Sequence, residues 1–499
     1  MKILSTYTVQ SENVPAEVTI AQRDDEYINT YELKHAKVME ATKVVLTFLK
    51  EKIIEGVDIR ISEIMDPRET DRIKEKIIPK AHELVKKELP GVSRDEEDIL
   101  VGRLVQEMLG LGEIELLLAD EQLEEIVVNS SKEPVYVYHK KFGWLKTNVM
   151  LQSEEQIHNY ASIIGRKVGK QITNLNPLMD ARLIGGSRVN ATLFPISSKG
   201  NGFTIRKFAK DPWTIIHFID PKMNTLNAEA AAVIWQAMQY EMNIIVGGGT
   251  ASGKTCFLNA MLVFCPPNQR IVSIEDTREL VLPDFLHWTP MVTREPNPEG
   301  KGGVEMLDLM VNSLRMRPDR IVLGEIRRQR EAEVLFEAMH TGHAVCGTVH
   351  ADDAAQVKAR LVSPPISLPE EMLAALQLIV VQYRQRRTGI RRTYEIAEVM
   401  PEGKMIGVNT VYKWEPKTDK LEKVGESARL INELSMHTGM SMKEMKEDLD
   451  EKKAILNYML DKGVTAVNDV GRVVAGYYRD KDGVLATVKK KLPPKKLLE

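Results

Sequence analysis

The chain contains 499 residues, of which 43% are hydrophobic and 28% are charged, and its 68 Lys and Arg against 71 Asp and Glu give a formal net charge of −3 at pH 7. This length is typical of about three domains. The small net charge argues against a surface built throughout to bind nucleic acid, and the ordinary hydrophobic content argues against intrinsic disorder.

The cysteines and the N-terminus indicate the cellular compartment. Cys256, Cys265 and Cys346 are too few for a disulfide-rich scaffold or a four-cysteine zinc site, and free thiols fit a reducing compartment. The N-terminus carries no apolar segment of signal-peptide length, and no apolar run approaches the roughly 20 residues that span a bilayer. We therefore expect a soluble, cytoplasmic chain that reaches a membrane only through a partner.

The first 95 residues are charge-dense and carry apolar residues at helical spacing. This spacing predicts helices over 37–56 and 71–89, the second broken near Pro79. We interpret 1–95 as a helical N-terminal lead-in without catalytic residues.

Residues 96–208 are predicted to form an α+β domain. A helix-like segment, 97–110, precedes runs rich in β-branched and aromatic residues, which indicate strands. A short linker, 209–214, follows this domain. The candidate strands are 123–130, 135–147, 187–195 and 202–208.

Residues 215–425 alternate between helix-like and strand-like segments. Continuous apolar strands separated by helices predict a parallel sheet covered on both faces, so the expected fold class is α/β. Residues 426–499 form a C-terminal helical segment that ends in a basic, Pro-containing tail, which we expect to be frayed. The candidate strands are 243–248, 270–276, 320–325 and 343–351.

The sequence GGTASGKT, residues 248–255, fits the phosphate-binding pattern G-x-x-x-x-G-K-[ST]. It follows an apolar strand and opens a helical segment, which is the context that the pattern requires. Glycines let backbone N–H groups wrap phosphate oxygens, Lys254 reaches the β- and γ-phosphates, and the Thr255 hydroxyl is suited to ligate Mg²⁺. The predicted ATP-binding residues are Gly248, Gly249, Thr250, Ala251, Ser252, Gly253, Lys254 and Thr255.

Two downstream strands end in carboxylates. Glu325 ends the strand 320–325, and Glu275 with Asp276 ends the strand 270–276. Beside a phosphate-binding loop, one such carboxylate can hold Mg²⁺ and the other can polarise the attacking water. For each residue taken alone, a solvated loop charge is the alternative.

Two histidines flank the strand candidate 343–351. His343 and His350 are seven residues apart, so on one strand they point to opposite faces and are poor candidates for chelating one metal ion. A neutral imidazole can instead sense a phosphate or orient a carboxylate.

Arginines are the remaining candidates, because the guanidinium fork is suited to spreading γ-phosphate charge. Arg188 and Arg206 lie on predicted strands of 96–208, and Arg315 and Arg317 precede the strand 320–325. Two basic runs favour a subunit-contact or acidic-partner surface, with a merely solvated face as the alternative. These runs are 327–330 and 384–392.

Four boxes in this order resemble the secretion ATPase superfamily of type II secretion, type IV pili and archaella. They are the Walker A motif GGTASGKT (248–255), the Asp box IEDTRE (274–279), the Walker B motif LGEIR (323–327) and the His box TGHAVCGTVH (341–350). The similarity covers about 96–410 and is nearest to the archaeal GspE/FlaI-like branch.

The resemblance implies a RecA-like motor domain, a preceding domain hinged over the nucleotide, and a homohexameric ring that uses ATP and Mg²⁺. It also implies that Arg188 and Arg206 reach the nucleotide from the preceding domain. The ring would pass force to an integral-membrane platform protein, so the chain would be peripherally associated with the inner face of the cell membrane.

The same resemblance assigns roles to the strand-end residues. It implies that Glu275 polarises the attacking water, that Glu325 lies near Mg²⁺, and that His343 and His350 couple nucleotide state to conformation. The sequence departs from the family in two places, because a four-cysteine zinc insert is absent and Arg327 is followed by arginine rather than the commoner aspartate. No zinc is therefore expected.

The resulting hypothesis is a cytoplasmic, Mg²⁺-dependent ATPase that powers assembly of a pilus-like filament, assembly or rotation of an archaellum, or type II-like secretion. No nucleic acid is expected as a partner. The alternative is a RecA-like nucleic-acid motor or DNA-packaging ATPase, and a third reading is a regulatory nucleotide-binding scaffold. The sequence leaves open which machine is driven.

Overall fold

The computed structural model describes residues 1–35, 40–56, 70–183, 186–207, 212–294, 296, 300–403 and 405–498. The chain divides into two compact units, which are Met1–Ala209 (unit 1) and Lys210–Glu499 (unit 2). The predicted linker, 209–214, begins at this division, and its residues 209–211 lie outside the described part of the chain.

Unit 1 contains a nine-stranded sheet in the order β1-β2-β3-β6-β5-β4-β9-β8-β7. Its neighbouring strands are antiparallel except for β3 and β6, which are parallel. The strands are β1 (Lys2–Ser11), β2 (Val14–Gln22), β3 (Thr30–His35), β4 (Leu123–Val128), β5 (Tyr136–His139), β6 (Gly143–Thr147), β7 (Leu178–Arg182), β8 (Arg188–Thr192) and β9 (Gly202–Arg206).

The first three strands correct the prediction of a helical lead-in over 1–95. Alternate residues of β2, from Val14 to Ile20, are buried in the core of unit 1, so this segment has the period of a strand. The hydroxyls of Tyr7 and Tyr31 donate to the Asp120 carboxylate at 2.7 and 2.8 Å, which fixes β1 and β3 to the rest of the unit. Among the described residues of this segment, the helices lie at 40–56 and 70–88, with a third beginning at 94.

The helices of unit 1 include a small subdomain with its own core, built from residues such as Leu49, Ile77 and Leu104. The second helix continues through Pro79, where a break was predicted. The helices are α1 (Glu40–Gly56), α2 (Thr70–Glu88), α3 (Arg94–Leu109), α4 (Ile114–Ala119) and α5 (Glu154–Lys167).

Unit 2 contains a second nine-stranded sheet in the order β12-β11-β13-β14-β10-β15-β16-β17-β18. The first six strands of that order are parallel and the last three extend the sheet in antiparallel fashion. The predicted α/β fold with a parallel sheet is thereby confirmed for unit 2. The strands are β10 (Ile244–Gly248), β11 (Ile271–Glu275), β12 (Trp288–Val292), β13 (Arg320–Leu323), β14 (Ala344–Val349), β15 (Leu378–Arg384), β16 (Arg391–Glu402), β17 (Met405–Glu415) and β18 (Lys420–Lys423).

Helices cover both faces of this sheet. On β10, Ile244 and Val246 belong to one hydrophobic core and Ile245 to another, as expected when successive side chains alternate between faces. The helices are α6 (Ile215–Ile219), α7 (Ala228–Gln239), α8 (Lys254–Leu262), α9 (Met306–Ser313), α10 (Gln329–His340), α11 (Ala354–Val362), a 3₁₀ helix (Glu370–Ala375), α12 (Arg429–Thr438), α13 (Met442–Asp461), α14 (Val467–Arg479), α15 (Lys481–Lys489) and α16 (Lys495–Leu498).

The C-terminal helices share a core with the sheet rather than forming a detached segment. The buried Glu398 carboxylate of β16 accepts hydrogen bonds from the backbone N–H groups of Ala428, Arg429 and Leu430 at 2.8, 3.0 and 3.0 Å, so it caps the start of α12. The predicted frayed tail is wrong for 495–498, because this segment is helical and its leucines pack against the same core. Within the described residues, no helix combines the length and hydrophobicity needed to cross a membrane.

Candidate active site

The phosphate-binding loop joins β10 to α8 at the carboxyl edge of the parallel strands. Gly248 has φ = 149°, and a Cβ atom there would overlap the carbonyl oxygen of Gln382 and Ser252 Oγ. Gly253 has φ = 96° and immediately precedes α8. Gly248 therefore needs glycine both for its backbone conformation and for lack of space, whereas Gly253 needs it for its backbone conformation alone. The N–H groups of the first turn of α8 face the loop.

Lys254 is buried at the start of α8. Its Nζ donates to the carbonyl oxygen of Gly249 at 3.0 Å and lies 3.3 Å from His350 Nδ1. Burial lowers the pKa of Lys254, and nearby carboxylates, with Glu325 first, oppose that shift. The ammonium is thus held over the loop before any phosphate is present.

Glu325 lies just beyond β13 and is held by a histidine and an arginine. Its Oε1 is 2.8 Å from His350 Nε2, and its Oε2 accepts from Arg327 Nε and Nη2 at 2.8 and 2.6 Å. Arg327 also pairs with Asp276, so it bridges the ends of β11 and β13. Both oxygens of the Glu325 carboxylate are engaged.

His350 links Lys254 to Glu325. Burial lowers the pKa of His350, and the neighbouring Lys254 ammonium lowers it further. Because an ammonium only donates, Nδ1 must accept from Lys254, and the proton is assigned to Nε2, which donates to Glu325. The imidazole is therefore hydrogen-bonded to both the Lys254 ammonium and the Glu325 carboxylate, so a movement of one is coupled to the position of the other.

Glu275 is the last residue of β11 and is almost completely buried. Its Oε1 accepts from the backbone N–H groups of Glu279 at 2.8 Å and Leu280 at 3.2 Å. Its Oε2 is buried without a hydrogen-bond partner among the described residues. Burial raises the pKa of Glu275 to about 7, although the two backbone N–H groups oppose that shift. A carboxylate that titrates near neutral pH is suited to accept a proton from water.

The buried state of Glu275 also predicts a pH-dependent effect on stability. The ordinary pKa of the carboxyl is 4.5 and the folded value is about 7, so the folded chain keeps this proton where the unfolded chain has lost it. Stability from this group is complete below about pH 4.5 and is lost as the pH rises through 7. Glutamine at this position has no proton to lose, so Glu275→Gln removes this pH-dependent loss. Its free energy of unfolding, compared with that of the unmodified chain, should therefore be about 2 kcal/mol higher at pH 8 than at pH 5. Denaturant unfolding at the two pH values measures this, and an equal effect at both would contradict it.

Several predicted residues do not meet this cluster. His343 precedes β14 and therefore lies at the amino edge of the sheet, where its Nδ1 is 3.3 Å from the carbonyl oxygen of Ala338. Arg315 and Arg317 precede β13 and lie at the same amino edge. The structure thus brings His350, but not His343, to the phosphate-binding loop.

The two arginines of unit 1 lie opposite each other on adjacent strands. Arg188 of β8 pairs in register with Arg206 of β9, and Arg188 forms an ion pair with Asp180. Arg206 is also in register with Glu125 of β4. Their predicted contact with nucleotide stays a prediction.

One arginine beside the loop was not predicted as a site residue. Arg391 begins β16, and its Nε donates to the carbonyl oxygen of Ala251 at 3.1 Å. It belongs to the basic run 384–392, which was interpreted as a partner-facing or solvated surface. The basic run was the only signal in the sequence. The contact of Arg391 with Ala251 arises because β15, which pairs with β16, lies next to β10 in the sheet.

The cluster fits a nucleotide with a bound Mg²⁺. Ser252 Oγ, like Glu275 Oε2, is buried without a hydrogen-bond partner among the described residues. Both atoms can therefore accept or donate a hydrogen bond to a ligand bound at this edge. Thr255 provides a hydroxyl in the first turn of α8. Hydroxyl and carboxylate oxygens are ligands that Mg²⁺ prefers.

Comparison with known proteins gives the following matches. Residues 110–437 match the family described as type II/IV secretion system protein. An uncharacterized protein of Methanocaldococcus jannaschii is 34% identical over 396 residues, covering 78% of this chain and 71% of that protein. The type IV secretion system protein PtlH of Bordetella pertussis is 29% identical over 306 residues, covering 55% of this chain and 89% of PtlH. Among solved structures, the ATPase DotB of Yersinia pseudotuberculosis matches 73% of this chain and 92% of its own at 16% identity and a TM-score of 0.44.

Proposed function

Because this chain belongs to the type II/IV secretion system protein family, a family of ATPases, we propose that it is a Mg²⁺-dependent motor. It hydrolyses ATP to power assembly of a pilus-like filament, archaellum assembly or rotation, or secretion. One observation carries this proposal: a phosphate-binding loop with a buried lysine shares its sheet edge with a buried carboxylate, Glu275, whose pKa is near neutral.

Binding of the triphosphate falls to the loop 248–255. The N–H groups of the loop and of the first turn of α8 hold phosphate oxygens, and Lys254 turns its ammonium from the Gly249 carbonyl to the β- and γ-phosphates. Thr255 and Glu325 would hold Mg²⁺, which when bound neutralises phosphate charge. Arg391 adds a guanidinium to the outer side of the loop.

Hydrolysis proceeds by in-line attack of water on the γ-phosphorus. Glu275 Oε2, which has no partner among the described residues, accepts a proton of that water while the bond from the γ-phosphorus to the β–γ bridging oxygen breaks. The products are ADP and inorganic phosphate, and the proton leaves Glu275 before the next turnover. Positioning supplies most of the rate, since the transition state needs little covalent help.

Force production requires more than one chain and a membrane partner. We propose a homohexamer on the cytoplasmic side of the membrane that acts on an integral-membrane platform protein. Arg188 and Arg206 would contact the nucleotide from unit 1, and His343 would couple nucleotide state to conformation. Family membership supports these proposals. We propose no nucleic-acid partner, since the net charge of the chain is small.

Steady-state ATPase activity of the purified chain, measured against its own concentration, tests this function. Assays run with and without single-stranded DNA and with and without anionic liposomes. We expect the specific activity to rise with protein concentration and on addition of liposomes, and to stay the same when DNA is added. Activity that requires DNA and falls steeply with salt would move the chain to the nucleic-acid motors.

Arg391→Ala tests the unexpected contact of the loop. Loss of a guanidinium beside the phosphates should raise the KM for ATP about tenfold, the effect of one charge-assisted hydrogen bond. Arg386→Ala removes the same charge from the exposed turn between β15 and β16 and should leave the KM unchanged. If both variants raise the KM for ATP equally, Arg391 contributes only through its positive charge and not through its contact with the loop.

A further inference from the structure

The C-terminal helix α14 packs against the loop that supplies the hydrogen-bond donors of Glu275. This loop, 279–287, begins at the last residue of the Asp box and leads to β12. Its first two residues donate to Glu275 Oε1, so its position sets where that oxygen is held. The backbone N–H of Val281 donates to Asn259 Oδ1 of α8 at 2.8 Å, and the residues that follow it contact the C-terminal helix α14.

Apolar side chains anchor the loop in the core that it shares with α14. Leu280, Leu282 and Leu286 are buried in that core, with exposed fractions of 0%, 2% and 8%. The buried residues that α14 contributes to the same core are Val470, Val473, Val474 and Tyr477. The loop and the helix are therefore packed as one layer.

At the centre of this contact the helix backbone touches the loop directly. A Cβ atom on Gly471 would lie 2.5 Å from Pro283 Cγ, 2.9 Å from Pro283 Cβ and 3.2 Å from Phe285 Cζ. Glycine is disfavoured inside a helix, and here the absence of a side chain is what lets Pro283 approach. Any larger residue at position 471 has to displace the loop.

A side-chain amide fixes the loop at a second point. The backbone N–H of Asp284 donates to Asn468 Oδ1 at 2.9 Å, and Asn468 Nδ2 donates back to Asp284 Oδ2 at 2.8 Å. Asn468 lies one helical turn before Gly471, so both contacts belong to the same face of α14. The pair restricts sliding of the loop along the helix.

We propose that α14 is a positioning element for Glu275. Gly471 and Asn468 hold the loop 279–287 so that its N–H groups fix Glu275 Oε1 and keep the carboxyl buried. Oε2, which has no partner among the described residues, then stays available to accept a proton from the attacking water. This inference rests on the proposed role of Glu275 in hydrolysis. It makes the C-terminal helices, which carry no nucleotide-binding motif, part of the control of turnover.

Two glycines of α14 provide a matched pair of variants. Gly471→Ala forces Pro283 to move, whereas a Cβ on Gly476 would meet only Val484 Cγ2 at 3.4 Å, so Gly476→Ala makes the same change in the same helix without touching the loop. Asn468→Ala is a second, milder variant that removes the amide contact and introduces no clash. The measured quantities are kcat, the KM for ATP and the pH dependence of kcat/KM.

We expect Gly471→Ala to lower kcat by about 10- to 100-fold, because a shift of about 1 Å in a positioned group has effects of this size. Asn468→Ala should lower kcat in the same direction by a smaller factor. The KM should stay within twofold for both, since the phosphate-binding loop is not displaced. The acid limb of the pH profile should move to lower pH, because water entering around Glu275 relieves the burial that raises its pKa. The ionisable groups that act on this carboxyl are Glu279, which raises its pKa, and Arg278, which lowers it.

Three results decide the matter. If Gly471→Ala and Asn468→Ala match Gly476→Ala in kcat and in pH profile, α14 has no positioning role, and the proposed function is untouched. If Gly471→Ala does not fold, Asn468→Ala decides by the same criteria. If Glu275→Gln hydrolyses ATP at the normal rate, the role of Glu275 fails and the positioning inference fails with it.

Discussion

Glu275→Gln should lower the kcat for ATP hydrolysis by about 10²- to 10⁴-fold, the usual contribution of a general base. The amide keeps the shape of the side chain and can still accept from the N–H groups of Glu279 and Leu280 through Oε1. It cannot accept a proton from water at the other position. Single-turnover hydrolysis and fluorescent nucleotide binding, measured on the same preparation, separate the chemical step from binding, and binding should change by less than about threefold.

Glu279→Gln is the matched control for this experiment. It makes the same chemical change four residues later, on an exposed side chain of the same loop, and it leaves the backbone N–H of residue 279 in place. Its kcat should fall far less than that of Glu275→Gln, because the charge of residue 279 only shifts the pKa of Glu275 and does not remove the base. A large loss in both variants would show that loop charge, rather than a base at position 275, controls turnover.

The environments of the two strand-end carboxylates separate their roles. Glu275 is buried against backbone donors and has one oxygen without a partner, whereas Glu325 has both oxygens occupied by His350 and Arg327. A group whose pKa is near neutral can exchange a proton at physiological pH, whereas Glu325 has no unengaged oxygen to offer to a water. This contrast supports the proposed roles of Glu275 as the base and of Glu325, which His350 connects to Lys254, as the carboxylate that would hold Mg²⁺.

Local patterns made the centre of the site predictable from the sequence. The loop 248–255 needs glycine where its backbone is tight, and parallel strands end at one edge, so Glu275, Glu325 and His350 come together without knowledge of the fold in detail. His343 shows the limit of such patterns. His343 and His350 flank the same strand, β14, whose six residues place His343 at the opposite edge of the sheet from His350.

Features set by distant parts of the chain could not be predicted. The contact of Arg391 with Ala251 joins residues far apart in sequence, and so does that of Asn468 with Asp284. No local pattern marks either partner, because each contact depends on which strand or helix becomes a neighbour. The strands β1 to β3 are a different case, since the alternation from Val14 to Ile20 was present in the sequence and was outweighed by the helical spacing that follows.

Lys254→Ala should abolish measurable turnover or reduce it by at least about 10²- to 10³-fold, the effect of removing one preorganised donor to a developing negative charge. Lys254 is held by the Gly249 carbonyl and by His350 before nucleotide arrives, so its ammonium needs little reorganisation to meet the phosphates. The variant also removes the donor that orients His350 Nδ1. Its effect should therefore reach Glu325 as well as the phosphates.

Lys222→Ala provides the comparison, since it removes an exposed lysine of the same unit from the turn between α6 and α7. ATP hydrolysis and nucleotide affinity are measured for both variants, together with unfolding, because alanine at position 254 leaves a gap at a buried site. Normal turnover by folded Lys254→Ala would contradict the assignment of 248–255 as the phosphate site. Loss of turnover with a normal unfolding midpoint, and no loss for Lys222→Ala, would place the defect in phosphate binding, because Lys254 lies in the phosphate-binding loop and contacts His350, which in turn contacts Glu325.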